Sequence, residues 1–156
     1  MAGVVTAYVA VGSSLGDREG AIRAGIARVG AQPGVTVRAM SRLIETTAVG
    51  ATGPPFLNGA FQADTTLSAR ALLELLLATE TALGRVRARR WEPRILDLDL
   101  LLYGDYVIDE ADLRVPHPRL AERLFVLGPL AEIAPAVVVP GAGQTVARLL
   151  ARAKSA

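Results

Sequence analysis

The 156-residue chain contains no cysteine, which excludes a disulfide framework, a thiolate metal site and a thiol nucleophile. A single histidine, with no G-x-S-x-G turn, leaves little material for a hydrolase triad. No H-E-x-x-H zinc pattern is present, and Gly12 and Gly16 are too close, with no following Gly-Lys pair, for a phosphate-binding P-loop. No apolar run approaches the roughly 18 residues of a membrane span. The N-terminus lacks the basic start and cleavage pattern of a secretory signal, so a cytoplasmic protein without a membrane partner is expected. Aromatic residues make up only 4%. Lysine is almost absent: of 17 basic residues, 16 are Arg and one is Lys154. Codon bias explains such an excess, but so does a need for planar, always-charged forks that grip phosphate. A net charge of +2 does not decide between them.

The length fits one domain over residues 1–156, able to bury roughly two-thirds of its unfolded surface. Hydrophobic residues reach 51%, but 27 of them are Ala, so this figure overstates the core. Val4 to Val11 is short, apolar and β-branched, and reads as a strand that stops at the turn Gly12 to Asp17. Asp17 caps a helix whose stripe is Ile22, Ile26 and Val29. A second extended segment is expected from about Thr36 to Thr46, and a third strand from Phe56 to Thr65. Gly and Pro crowd residues 49–55 too densely for regular structure. Ser68 then caps a second helix through Leu72, Leu73, Leu76, Leu77 and Leu83, ending at Gly84. Arg85 to Arg94 reads as a loop and Ile95 to Tyr103 as a strand, with short helices near Leu120 to Ile133 and Val146 to Ala153. This order predicts an α+β fold, a ferredoxin-like βαββαβ sandwich with an antiparallel sheet, helices on one face and a C-terminal extension.

The chemistry concentrates between Arg85 and Tyr103. Asp97 and Asp99 share one face of the last strand, roughly 6–7 Å apart, with Leu96, Leu98 and Leu100 opposite. Paired carboxylates repel unless a cation sits between them, and Mg²⁺ suits such a pair plus substrate phosphates. A solvated acidic edge fits the bare spacing equally well. Five Arg in the ten residues before that strand supply the complementary cations for phosphate oxygens. Trp91 in this loop either stacks on a base or anchors the loop. His117, between two prolines, is extended and suited to donate to phosphate or ribose. Glu80 falls on the buried stripe of its helix and reads as a buried acid paired with an Arg.

Arg90-Trp91-Glu92-Pro93-Arg94-Ile95-Leu96-Asp97-Leu98-Asp99-Leu100-Leu101 resembles the signature of the 6-hydroxymethyl-7,8-dihydropterin pyrophosphokinase family of folate biosynthesis. Gly12 to Asp17, Glu45-Thr46, Phe56-Leu57-Asn58, Val115 to Leu120 and Pro129 to Pro135 resemble its other blocks, in order. The resemblance implies transfer of diphosphate from ATP to a reduced pterin, releasing AMP. It implies that Asp97 and Asp99 hold two Mg²⁺ and that Arg85 and Arg94 are catalytic cations. Arg87, Trp91, Leu100, His117 and Arg123 are then expected to line the ATP site. Phe56 and Phe125 are expected to sandwich the pterin, with Asn58, Thr46 and the Val49 backbone reading its polar edge. A monomer is expected. Ser14 and Glu92 depart from the family pattern, in place of Asn and a small residue, and Leu77 and Asp112 stand near positions where some members offer polar ATP contacts. An RNA-binding module shares the strand order, but few aromatics and an acidic strand argue against a nucleic-acid partner.

Overall fold

A computed structural model describes residues 3–46, 55–84 and 95–155. Up to Tyr103 the elements follow the expected order apart from one split strand: β1 (Val5–Ser13), α1 (Arg18–Gly30), β2 (Val35–Met40), β3 (Ile44–Thr46), β4 (Phe56–Thr65), α2 (Ala69–Ala82) and β5 (Asp97–Tyr103). Both helix starts are capped by the expected side chains: Asp17 accepts from the Gly20 N–H and Ser68 from the Ala71 N–H. A small hairpin follows, β6 (Ile108–Glu110) and β7 (Leu113–Val115), then a single 3₁₀ turn at Leu120–Glu122. The chain finishes with α3 (Leu124–Ile133), the two-residue strands β8 (Val138–Val139) and β9 (Gln144–Thr145), and α4 (Val146–Ser155).

The sheet runs β2–β4–β1–β5, with β3 also beside β4, and every pairing is antiparallel. That is the strand order of a βαββαβ sandwich. The extended segment expected over 36–46 is broken in two. Ser41 Oγ accepts from the Ala60 N–H and donates to the Arg42 carbonyl, while Glu132 on α3 accepts from the Arg42 N–H. These bonds divert the backbone out of the ladder between β2 and β3.

Helices cover both faces of the sheet, not one. Ala7, Val9 and Val11 of β1 pack with Leu98 and Leu100 against Ile22, Ile26, Leu72 and Leu76 of α1 and α2. Tyr8 and Ala10 point the other way, toward Val126, Leu127 and Leu130 of α3 and Leu149 of α4. The C-terminal pieces are therefore a third layer, and their apolar content is the hydrophobic face that covers the sheet's second side. A bulge in β5 serves the same layer. Tyr8 pairs with Leu102 and Val9 with Leu100, so Leu101 is the extra residue, and Leu101 and Leu102 both enter the second core.

The register also positions the polar residues. Gly12 lies between Asn58 on β4 and Asp97 on β5, and Ala10 lies beside Asp99. Strand alternation puts all of these on the face covered by α3, at the end of the strands.

Candidate active site

Two cavities open at that end, and Asp97 and Asp99 line both. The larger, of about 680 Å³, is walled by Gly12, Thr46, Phe56 and Asn58 from the sheet and by Arg123 and Phe125 at the start of α3. The smaller, of about 480 Å³, lies between Leu73, Leu77 and Glu80 of α2, the β6–β7 hairpin, and His117.

In the larger cavity the sheet side of the wall is held by strand pairing. Asn58 is buried, and its Nδ2 donates to Thr46 Oγ1 at 2.6 Å. That bond fixes which way the amide points and leaves Oδ1 and one N–H for another partner. The Thr46 hydroxyl, acting as acceptor there, keeps its own proton to donate. Gly12 is needed beneath them, since a Cβ at this position would stand 2.9 Å from Asn58 Oδ1. Phe56 is half-buried, Phe125 is 39% exposed, and the Arg123 guanidinium lies 5.6 Å from the Phe125 ring centre. An exposed aromatic ring on a cavity wall is a stacking surface for a flat ligand. Arg119 and Glu122 complete the rim as an ion pair at 3.4 Å.

The smaller cavity is polar. Among the described residues β5 is an edge strand, and its outer backbone groups bond to the Glu80 side chain and to the backbone of the His117 segment. Glu80 is buried and accepts from the Leu98 N–H at 2.8 Å, and the His117 N–H donates to the Leu101 carbonyl at 2.9 Å. Burial pushes the His117 pKa below its ordinary value. Asp99 opposes this, while Arg123 and Arg119 lower it further. The ring is thus neutral near pH 7. Its Nδ1 accepts from the Arg119 N–H at 3.1 Å, which assigns the proton to Nε2. His117 therefore presents one N–H donor.

Asp97 is half-buried and Asp99 exposed. Among the described residues no group of three or more His, Cys, Asp or Glu converges. Two carboxylates, which are hard oxygen donors, with a cavity on either side suit a cation that takes its remaining ligands from phosphate and water, as Mg²⁺ does. The residues present fit that ion.

The structure thus brings together Thr46, Phe56, Asn58, Phe125, Asp97, Asp99, Leu100 and His117. Leu100 contributes from within the first core, 5% exposed. Arg123, expected on the nucleotide side, lines the larger cavity with Phe125. Val49, Arg85, Arg87, Trp91 and Arg94 lie outside the described residues. Sequence reasoning treated Gly12 only as a turn residue. Its place opposite Asn58 depends on a strand pairing 46 positions apart in the chain.

A sequence profile of the 7,8-dihydro-6-hydroxymethylpterin-pyrophosphokinase family matches residues 8–135. The chain belongs to this family. The pyrophosphokinase of Methylorubrum extorquens is 43% identical over 147 residues, covering 94% of this chain and 92% of the relative. That of Bacillus subtilis is 48% identical over 128 residues, covering 81% and 77%. Both carry the name 2-amino-4-hydroxy-6-hydroxymethyldihydropteridine pyrophosphokinase. Among solved structures, the Plasmodium falciparum HPPK-DHPS protein with pteroate superposes with a TM-score of 0.76 at 11% identity. The match covers 98% of this chain but only 43% of that longer one, and at this identity it supports the fold alone. The chain is accordingly a pyrophosphokinase, a transferase of folate biosynthesis.

Proposed function

We propose that the protein transfers a diphosphate group from ATP to 6-hydroxymethyl-7,8-dihydropterin, giving the pterin diphosphate and AMP. The observation that carries this reading is that Asp97 and Asp99 line two cavities of different character at once. A flat heterocycle suits the larger one, and a charged nucleotide suits the smaller. The transferring phosphorus then lies at the carboxylates between them. In the reaction the pterin hydroxymethyl oxygen bonds to the β-phosphorus, the bond from that phosphorus to the α–β bridging oxygen breaks, and AMP leaves. The hydroxyl proton departs to solvent or to a nearby carboxylate. Alignment and charge neutralisation dominate such a transfer, with little covalent chemistry for the protein.

On this reading Phe56 and Phe125 hold the pterin ring between them. Asn58 and Thr46, with the Val49 backbone, read its polar edge through the donors and acceptors their mutual bond leaves over. His117 donates from Nε2 to the nucleotide, and Leu100, Arg87 and Trp91 complete its surroundings, while Arg123, which lines the larger cavity beside Phe125, adds positive charge from that side. Arg85 and Arg94 supply positive charge to the phosphates as catalytic cations. Asp97 and Asp99 would hold two Mg²⁺, which supply charge neutralisation at the phosphate oxygens. The protein works as one domain and as a monomer in the cytoplasm, without a nucleic-acid or membrane partner. Among the described residues no helix is long and apolar enough to cross a membrane.

The test is AMP formation from ATP with hydroxymethyl-dihydropterin and Mg²⁺ present. Stoichiometric AMP and pterin diphosphate are expected. Release of ADP, or no pterin-dependent turnover, would falsify the reading.

A further inference from the structure

Arg70 is the second residue of α2, in a first turn that holds no acid. The helix dipole disfavours a cation there, so helix stability does not account for it. Its contacts do. One guanidinium nitrogen donates to both carboxylate oxygens of Asp112, each at 2.9 Å, and the other donates to Glu110. Those two acids bracket the turn of the β6–β7 hairpin: Glu110 ends β6 and Asp112 precedes β7. The hairpin gives Ala111, Asp112, Leu113 and Arg114 to the smaller cavity, and α2 gives Leu73, Leu77 and Glu80 to its other wall. One side chain therefore ties the two walls together.

A hairpin of three-residue strands has little stability of its own. Leu113 and Val115 hold its second strand to the core, and Arg114 pairs with Asp109 across it at 3.2 Å. The turn itself has Arg70. The hairpin also carries three acids, Asp109, Glu110 and Asp112, against one Arg, and Asp112 lines the cavity that would take a polyanion. Without Arg70, the Asp112 carboxylate on the cavity wall loses its guanidinium partner.

We propose that Arg70 is a positioning residue for the nucleotide: it holds the hairpin turn against α2 and screens the two carboxylates, fixing one wall of the ATP cavity. The inference rests on the pyrophosphokinase reading of that cavity. It separates Arg70 from the groups that touch substrate, and it concerns only the nucleotide half of the site.

The Arg70 side chain is half-exposed and belongs to neither core, so Arg70→Ala is expected to fold. Its KM for ATP is expected to rise on the order of fivefold, with kcat and the KM for the pterin within about twofold of the unsubstituted protein. Arg70→Lys keeps the charge but cannot bridge two carboxylates as a planar fork does, and should recover part of the loss. Backbone hydrogen exchange over residues 108–115 should quicken in Arg70→Ala while that of β4 stays unchanged. An ATP KM within twofold of the original, or an equal rise in both KM values, overturns the proposal. If the unsubstituted protein makes no AMP, the pyrophosphokinase reading fails, and unchanged exchange over 108–115 in Arg70→Ala separately overturns the clamp.

Discussion

The two cavities that share Asp97 and Asp99 are built by opposite means. The larger is cut into the ends of long paired strands, with Asn58 locked to Thr46 above a glycine and an aromatic ring presented from α3. The smaller is assembled from separate pieces: a helix, a three-residue hairpin and an extended histidine segment, joined by ion pairs and single hydrogen bonds. Shape and a fixed amide suit a planar ring whose polar edge must be read atom by atom. Charge and adjustable walls suit a flexible polyphosphate. The carboxylates between them belong to β5, whose two neighbours on the sheet face, Gly12 and Ala10, are too small to cover them.

That comparison predicts a graded set of losses, and the largest comes where the cavities meet. Asp97→Ala or Asp99→Ala should lower turnover by roughly a thousandfold or more, about 4 kcal/mol of transition-state stabilisation, with the fold retained. Single-turnover AMP release alongside a thermal melt measures both quantities. Near-normal rates in the two variants together would remove the carboxylates from the chemistry and leave two unrelated cavities.

Next comes the aromatic wall. Phe125→Ala removes one face of the stack, worth about 1–3 kcal/mol by analogy with base stacking, and should raise the pterin KM by up to roughly a hundredfold. The ATP KM should stay put. A rise confined to ATP would reverse the assignment of the two cavities. Gly12→Ala tests the same wall from below. Its Cβ would meet Asn58 Oδ1 at 2.9 Å, and the amide is held from the other side by Thr46. Overpacking of this kind costs about 1–3 kcal/mol, so a roughly tenfold loss of pterin affinity is expected, measured by pterin fluorescence titration.

Legibility in the sequence follows the range of the interactions. Asp17, Ser68, the stripe of α1, Leu72 and Leu76 of α2, and β4 at Phe56–Thr65 follow local rules and stand as the sequence predicts, whereas Leu77, expected with them, is exposed on the wall of the smaller cavity. Glu80 was legible as an inward acid, because its stripe is local, and it is buried. Its bond to the Leu98 N–H was not, since that requires knowing that β5 is an edge strand. The break at 41–43 depends on Ala60 and on Glu132, which lies 90 residues from Arg42. The second helical layer was hidden for the same reason, because short helical pieces among prolines do not announce which face they cover. Alternation put Asp97 and Asp99 on one face, and the Arg-rich loop before them, not the spacing alone, pointed to phosphate chemistry. Their position between two cavities came only from the fold.

The smallest effect should come from His117, and it bears most directly on how separate the two cavities are. The ring serves both with different nitrogens. Nε2–H is the donor left for the smaller cavity that His117 lines, while Nδ1 accepts from the N–H of Arg119, which lines the larger one. His117→Phe keeps the ring and removes both functions. Loss of one neutral hydrogen bond is worth about 1 kcal/mol, so the ATP KM should rise about fivefold. The Nδ1 bond only orients a backbone amide beside an exposed Arg119–Glu122 pair, so the pterin KM should move by less than about twofold. Parallel measurement of the two constants decides the matter. A rise in the ATP constant alone means that the cavities share the carboxylates and little else. An equal rise in both would mean that the segment from His117 to Arg119 is a mechanical link, and that binding on one side is felt on the other through this ring.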